Sequence, residues 1–314
     1  MTTTMSALAW RRPLLGFLGG LALCVGCKPE PPAETAGSPE EGPAPVADPA
    51  QVDEAPPEPA EADASDGGAT PTPSDAVAEV ETEPEPEGPV IPEEPYKVLL
   101  IGDSMIATGI GALLEKKLDA HPHVVCYRKG KSSSGLARRD FYDWIDQAKR
   151  QVEFREPDLV VVILGGNDGQ DLTRPSGKGK RVPWQHEDWP GAYRERVDAL
   201  LAEITGPERR VLWVGLPYMG LRSLEKKLTI IRPIQEEAVE ALGDRGMYLD
   251  SLPFVTNDEG GMLEKAEVGP RNKVQTLRAD DKIHFTMAGS EYFADRVYPQ
   301  VLEVLALPDV QPEP

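Results

Sequence analysis

Two short segments, far apart in the sequence, carry residue types suited to nucleophilic attack on a carbonyl carbon. Ser104 lies in Gly102-Asp103-Ser104 directly after an apolar run, where a strand-to-helix turn would expose its hydroxyl group. His284 follows Asp281 by three residues, so one turn of chain can bring the carboxylate to the imidazole. A serine hydroxyl becomes a strong nucleophile when an imidazole takes its proton, and a carboxylate fixes the tautomer of that imidazole. The pattern predicts acyl chemistry with Ser104 as nucleophile, His284 as base and Asp281 as its orienting partner.

Other interpretations of the same residues stay open at the level of the sequence. Asp103 or Ser104 could simply cap a helix, and Asp280 competes with Asp281 as the partner of the histidine. The acidic segment before His284 also suits a solvated loop. No second histidine stands at the spacing of a metal ligand, so no metal site is predicted. The remaining histidines lack a comparable carboxylate pattern; two flank a proline in a predicted surface turn and one lies in a polar insertion: His121, His123 and His186.

Two further segments could supply hydrogen-bond donors to a developing oxyanion. Asn167 lies in Gly165-Gly166-Asn167-Asp168 after another apolar run, where its side-chain amide could point at the reacting carbonyl. Gly135 ends the run Ser132-Ser133-Ser134-Gly135 and could present its backbone N–H to the same oxygen. Taken alone, each segment is equally typical of a plain turn or a flexible loop. Only their combination with Ser104 and His284 favours a catalytic interpretation.

The elements that must position these residues alternate along the chain between strand and helix. Such alternation predicts an α/β domain with a parallel sheet covered on both faces, in which ligands bind at the carboxyl ends of the strands. Short apolar runs predict strands at 97–102, 124–127, 158–164, 210–216 and 247–250. Helical spacing of apolar residues predicts helices at 105–118, 141–154, 193–204, 230–242 and 288–305. Residues 170–189 are a polar insertion that we expect to form a loop over the site.

In this order, the four segments resemble the SGNH (GDSL-type) hydrolase superfamily over residues 96–309. The segments around residues 134–144 and 277–286 are similar to a bacterial cell-envelope branch catalogued only as a domain of unknown function. The resemblance implies a flavodoxin-like, three-layer α/β/α sandwich with a five-stranded parallel sheet. It also implies a catalytic triad and an oxyanion hole, the latter formed by Ser104, Gly135 and Asn167. Met105 replaces the usual Leu, and a serine replaces the usual Asn before Gly135.

The charge of the chain is concentrated in one segment. The 314 residues have a formal net charge of −20, to which residues 1–27 contribute +2, residues 28–95 contribute −18 and residues 96–314 only −4. Phosphate binding needs a basic face, so we expect no nucleic acid partner. Residues 28–95 hold 17 prolines and no aromatic residue, a composition that predicts a disordered acidic tether rich in Pro, Glu and Ala. No apolar run after residue 27 is long enough to span a bilayer.

The first 27 residues are typical of an export signal. Arg11 and Arg12 precede a short apolar run that ends in Cys24-Val25-Gly26-Cys27. The end of this run resembles a bacterial lipobox, which implies lipidation of Cys27 and membrane attachment through that lipid. An ordinary cleaved signal peptide is the alternative. The predicted domains are therefore a lipoprotein-type signal at 1–27, the tether at 28–95, the hydrolase-like domain at 96–309 and a tail at 310–314.

Together these features predict an exported serine esterase or acyltransferase that acts on O-acyl, in the first place O-acetyl, groups of envelope glycans. Its expected partners are an acylated envelope polysaccharide or peptidoglycan and the membrane, and no cofactor is predicted. The expected location is the cell envelope, periplasmic or associated with the outer membrane. The alternative function is a non-catalytic glycan-binding or tethered scaffold lipoprotein on the same fold.

Overall fold

The computed structural model of the protein describes residues 92–310. The predicted signal segment, Cys27, nearly all of the predicted tether and the last four residues lie outside the described residues. The described part contains a five-stranded parallel sheet of order β2-β1-β3-β4-β5, which confirms the predicted α/β class. Its strands are β1 (Tyr96–Gly102), β2 (Val124–Gly130), β3 (Leu159–Ile163), β4 (Arg210–Val214) and β5 (Gly246–Leu249).

Helices cover both faces of this sheet in two groups. The helices are α1 (Ser104–Ala107), α2 (Gly109–Asp119), α3 (Trp144–Arg155), α4 (Trp189–Ile204), α5 (Arg222–Glu240) and α6 (Met287–Leu305). Helix α2 packs against α6, whereas α3, α4 and α5 pack in sequence against one another. Every residue of β3 is buried, as expected for an apolar parallel strand with helices on both sides. The result is the predicted three-layer sandwich.

The structure differs from the sequence-based prediction at several element boundaries. The helix predicted at 105–118 is two helices, because Thr108 adopts a non-helical conformation and its hydroxyl donates to the carbonyl of Ser104 over 2.6 Å. The helix predicted from residue 141 begins at Trp144, and α5 begins eight residues before the predicted 230. An antiparallel hairpin, β6 (Lys265–Val268) with β7 (Lys273–Thr276), was not predicted.

The prediction that His121 lies in a surface turn is wrong. Its side chain is buried, with 2% exposure, and its Nε2 lies 3.1 Å from the carbonyl oxygen of Pro308. His121 therefore ties the end of α2 to the segment that follows α6. Across residues 92–310, no helix combines the length and apolar character needed to cross a membrane.

Candidate active site

The loops after β1, β2 and β3 meet because of the register of their strands. Gly102, the last residue of β1, pairs with Gly130 at the end of β2 and with Ile163 at the end of β3. The chain order of the sheet reverses between β1 and β3, and such a reversal opens a crevice at the carboxyl ends of the strands. Ser104 and Asn167 follow the two strands that flank this point.

Ser104 is the first residue of α1 and faces this crevice. The preceding Asp103 caps the helix, since its Oδ1 accepts a hydrogen bond from the backbone N–H of Met105 over 3.1 Å. Asp103 is almost completely buried, and burial raises its pKa to about 7 despite that hydrogen bond. The sequence left open whether Asp103 or Ser104 caps the helix. The structure assigns the cap to Asp103, so the hydroxyl group of Ser104 remains available.

His284 connects Ser104 to Asp281. Its Nε2 lies 2.9 Å from Ser104 Oγ, and its Nδ1 lies 2.6 Å from Asp281 Oδ2. A carboxylate only accepts hydrogen bonds, so Nδ1 carries the proton and Nε2 is left to accept from the serine hydroxyl. The structure thus joins the three residues, separated by up to 180 positions, in the order that proton transfer from the serine requires.

Asp281, rather than Asp280, contacts the imidazole. Asp281 Oδ1 accepts hydrogen bonds from the backbone N–H groups of Ile283 and His284, each over 2.9 Å, which leaves Oδ2 for the imidazole. Burial alone would raise the pKa of Asp281, but the hydrogen bonds from the His284 side chain and the backbone outweigh it and lower the pKa to about 2. Asp281 is therefore a carboxylate throughout the neutral range.

A buried arginine fixes the loop that carries His284. Arg278 donates from Nη1 to the carbonyl of Ile283 over 2.6 Å and from Nη2 to the carbonyl of Tyr218, and its guanidinium lies 3.6 Å from the ring centroid of Phe285. Burial lowers the pKa of Arg278 to about 10. The arginine joins the histidine loop to the loop after β4, so the position of the imidazole is held from outside the triad.

Two predicted oxyanion donors, Ser104 and Asn167, line the same crevice, and Gly135 follows the residue that Asn167 contacts. Asn167 Nδ2 donates to the carbonyl of Ser134 over 2.9 Å, which orients its amide and leaves a second N–H free to bind a ligand. Within residues 92–310, the backbone N–H groups of Ser104 and Gly135 have no protein acceptor. The segment between β3 and Asn167 turns sharply at Gly165, whose φ of +122° favours glycine. Each of the three predicted donors therefore has an N–H group without a protein acceptor in the described part of the chain.

Asp168 is a buried anchor that the sequence analysis did not assign. Its Oδ1 accepts from the backbone N–H of Ala137 and its Oδ2 from the hydroxyl of Tyr193, each over 2.8 Å. Burial raises its pKa, and the hydrogen bonds act against this effect. A Cβ atom on Gly135 would lie 2.0 Å from Asp168 Oδ1, so only glycine fits there. The sequence offered one indication of this role. Asp168 ends Gly-Gly-Asn-Asp, directly after a buried strand, and an acidic side chain there needs a buried partner.

We expect Gly135→Ala to destabilise the fold because the added methyl group displaces the Asp168 carboxylate. Overpacking of this kind costs about 1–3 kcal/mol, which lowers the melting temperature by roughly 2–12 °C in a domain of this size. Gly191→Ala is the matched control, since no heavy atom lies within 4 Å of its added Cβ. Thermal unfolding followed by circular dichroism measures both variants. Equal melting temperatures for the two would contradict the tight contact.

The cleft above Ser104 has a volume of about 340 Å³. Its walls combine the catalytic groups with apolar side chains and one cation: Met105, Asn167, Met219, Leu221, Leu224, Lys227, Ile283 and His284. A larger cavity of about 560 Å³ lies between α2 and α6, and no predicted site residue lines it. Across residues 92–310, no group of His, Cys, Asp and Glu side chains is arranged to hold a metal ion.

One family model matches the chain, and several solved structures are similar to it. A family model described as "Protein of unknown function (DUF459)" matches residues 97–300, which confirms the predicted branch of unknown function. No curated protein matches the chain significantly.

The solved structures similar to this chain include three from different sources. A catalytic mutant of an acetylxylan esterase from Geobacillus stearothermophilus is 16% identical, with 71% of this chain and 100% of that chain covered and a TM-score of 0.45. The esterase EstA from Pseudoalteromonas sp., inhibited by monoethylphosphonate, is 16% identical, with 67% and 98% covered and a TM-score of 0.46. The α/β hydrolase LAE5 from the metagenome of Lake Arreo, Spain, is 17% identical, with 67% and 95% covered and a TM-score of 0.45.

Proposed function

The chain belongs to the DUF459 family, and from the geometry of its site we propose that it is a serine esterase that works through an acyl-enzyme on Ser104. The observation that carries this proposal is the hydrogen-bonded series Ser104–His284–Asp281, with distances of 2.9 and 2.6 Å, beside free N–H donors. Nucleophile, base and orienting carboxylate in this arrangement are the functional unit of acyl transfer.

In the acylation step, Ser104 Oγ forms a bond to the ester carbonyl carbon while its proton passes to His284 Nε2. The carbonyl oxygen becomes an oxyanion and accepts from the N–H groups of Ser104, Gly135 and Asn167. When the tetrahedral intermediate collapses, the bond to the alkoxy oxygen breaks, and His284 returns its proton to that leaving oxygen. Asp281 remains ionised throughout and stabilises the imidazolium.

In the second step, a hydroxyl compound releases the acyl group from Ser104. His284 takes a proton from water, the resulting nucleophile attacks the acyl carbon, and Ser104 Oγ leaves with the proton from the imidazole. A sugar hydroxyl in place of water gives transfer to a second glycan with the same proton movements. We propose that hydrolysis is the basic activity. Acyl transfer would use the same chemistry with a sugar hydroxyl as the acceptor.

The oxyanion role of Asn167 leads to a prediction about rate. We expect Asn167→Ala to lower kcat by about a hundredfold to a thousandfold, because removal of one donor of an oxyanion hole costs this much in comparable sites. Asn167→Asp is a second test, since a carboxylate retains the volume but repels the oxyanion. Steady-state hydrolysis of 4-nitrophenyl acetate measures both variants. A change confined to KM would contradict the oxyanion role.

The substrate that we propose is an O-acetylated glycan of the cell envelope. The small cleft, with apolar walls at Met105, Met219 and Leu221, supports a short acyl group. The envelope location and the lipid anchor rest on the sequence of residues 1–27, with Cys27 as the proposed lipidation site. Mass spectrometry of the membrane fraction tests the anchor, since lipidated Cys27 would be the N-terminal residue of the mature chain.

Two measurements test the proposed activity. The protein should hydrolyse 4-nitrophenyl acetate with release of 4-nitrophenolate. A fluorophosphonate probe should form a covalent adduct on Ser104, identified by mass spectrometry of the labelled peptide, because only an activated serine reacts with such probes at neutral pH. A folded protein that neither hydrolyses the ester nor accepts the label would overturn the esterase proposal and favour a glycan-binding function.

A further inference from the structure

A cationic hairpin lies in the segment between β3 and α4, and the proposed mechanism does not use it. Residues 172–182, which we call the basic hairpin, are closed by a backbone pairing of Leu172 with Val182. The hairpin contains no acidic residue and four exposed cations: Arg174, Lys178, Lys180 and Arg181. None of these cations forms an ion pair with an acidic side chain of residues 92–310.

The base of the basic hairpin is fixed to the segment that follows Gly135. The backbone N–H of Thr173 donates to the carbonyl of Ala137 over 2.9 Å. Arg196 donates from Nη2 to the carbonyl of Thr173 over 2.7 Å and from Nη1 to the carbonyl of Ala137 over 2.8 Å. Because Ala137 is also held by Asp168, the hairpin base and the oxyanion segment form one structure. The base of the basic hairpin is therefore fixed relative to the segment that follows Gly135.

Trp184 and Lys227 connect the basic hairpin to the catalytic cleft. Trp184 follows the hairpin by two residues, and its backbone N–H donates to Asp171 Oδ1 over 2.9 Å. Lys227 Nζ lies 5.8 Å from the centroid of the Trp184 ring and donates to the carbonyl of Gly169 over 2.7 Å. Lys227 lines the cleft together with Ser104 and His284. A half-buried indole, which also packs edge-on against Trp189 with 4.5 Å between ring centroids, thus follows the basic hairpin and contacts a cation of the cleft.

From this continuity we infer that the substrate is an anionic glycan, bound over Trp184 and Lys227 with its acidic groups on the basic hairpin. The inference rests on the proposed esterase function and names the class of glycan that it acts on. An indole can stack on a sugar ring, and the cations can bind its carboxylates or phosphates. The local charge of +4 within eleven residues contrasts with −4 for residues 96–314 as a whole.

The acidic segment 28–95 of the same chain is the competing occupant. It carries 19 acidic residues and one lysine, so it also complements the basic hairpin in charge. It contains no aromatic residue, whereas the surface combines cations with an indole next to Lys227 of the cleft, a combination suited to a charged sugar. We therefore favour the glycan, and the experiment below separates the two occupants.

The test compares three acetyl esters with the full chain and two variants of equal charge. The esters are O-acetylated polygalacturonate (anionic), O-acetylated xylan (neutral) and 4-nitrophenyl acetate (small). The first variant reverses the hairpin charge with Lys178→Glu, Lys180→Glu and Arg181→Glu. The matched control reverses the same number of exposed cations on the hairpin β6–β7, which has no hydrogen bond to the segment after Gly135, to Trp184 or to Lys227: Lys265→Glu, Arg271→Glu and Lys273→Glu.

We expect the first variant to lose about tenfold or more in kcat/KM on acetylated polygalacturonate, mainly through KM, with the two other esters unaffected. Raising the salt from about 20 to about 500 mM should reduce the wild-type rate on the anionic polymer toward that of the variant, because salt screens exposed charges. The control variant should behave as wild type.

Three outcomes are decisive for this inference. An unchanged ratio of anionic to neutral polymer hydrolysis in the first variant would overturn it while leaving the esterase proposal intact. Absence of hydrolysis of 4-nitrophenyl acetate by wild type would instead overturn the esterase proposal itself. If deletion of residues 28–91 and charge reversal of the hairpin each raised the rate on both polymers, the acidic segment would be the occupant and the glycan inference would be wrong.

Discussion

Replacement of Ser104 by alanine is expected to reduce hydrolysis of 4-nitrophenyl acetate by at least roughly a thousandfold in kcat/KM. The variant retains the cleft and the oxyanion donors but has no oxygen at the position 2.9 Å from His284 Nε2. In the proposed mechanism the serine oxygen forms the acyl bond, and Ser104 carries the hydroxyl group that is hydrogen-bonded to His284 Nε2. The remaining activity would come from water held beside the oxyanion donors, which accounts for the residual catalysis that such variants show.

Ser223→Ala is the matched control for this prediction. Ser223 also lines the cleft, but it has no hydrogen bond to His284 or Asp281. We expect it to retain wild-type kcat within about twofold, since surface substitutions of this kind leave the reacting atoms in place. Thermal unfolding of both variants shows whether a loss of rate is a loss of fold. Equal rates for Ser104→Ala and wild type would place the observed hydrolysis elsewhere in the protein.

The sheet could be predicted because each central strand is a short apolar run. The strand Leu159–Ile163 has no polar residue and is buried along its whole length. Such a sequence is compatible with few structures other than a central strand. The positions of Ser104 and Asn167 follow from this sheet, since each comes directly after such a strand. The prediction of their proximity required only the rule that ligands bind at the carboxyl ends of parallel strands.

The parts that could not be predicted depend on contacts between distant residues. The choice of Asp281 over Asp280 is made by backbone N–H groups at 283 and 284, which fix one carboxylate toward the imidazole. Nothing in the sequence indicated that the Arg278 side chain would be buried against Phe285. The hairpin β6–β7 is polar and almost fully exposed along β7, so it lacks the apolar alternation by which strands are predicted.

Asp168 shows how one buried group can link the scaffold to the chemistry. It binds the segment after Gly135 on one side and Tyr193 on the other, and Gln235 donates in turn to the Tyr193 hydroxyl over 3.0 Å. Such a network is costly unless every member is paired, and here the buried Gln235 Oε1 has no partner among residues 92–310. This gives a physical reason for an acid directly after Asn167, because Asp168 fixes the segment after Gly135, one of the proposed oxyanion donors.

The second large effect is expected from a change of a single atom in Asp281. We expect Asp281→Asn to lower kcat by roughly ten-thousandfold, as removal of the carboxylate does in triads of this kind. Asn Oδ1 can still accept from the backbone N–H groups of Ile283 and His284, so the loop keeps its shape. The amide Nδ2 then faces His284 Nδ1 and donates to it. The proton of the imidazole moves to Nε2, which can no longer accept from Ser104.

Asp280→Asn separates this tautomer effect from a general loss of negative charge. Asp280 is exposed and forms no hydrogen bond to the imidazole within residues 92–310, so we expect its variant to keep the wild-type rate. Because the pKa of Asp281 is about 2, the wild-type carboxylate stays ionised from about pH 4 upward, and the deficit of Asp281→Asn should persist across that range. Steady-state kinetics between about pH 5 and 9 measure this. A large loss in Asp280→Asn with near-normal rates in Asp281→Asn would identify Asp280 as the orienting residue, and would require a histidine loop different from the one held by Arg278.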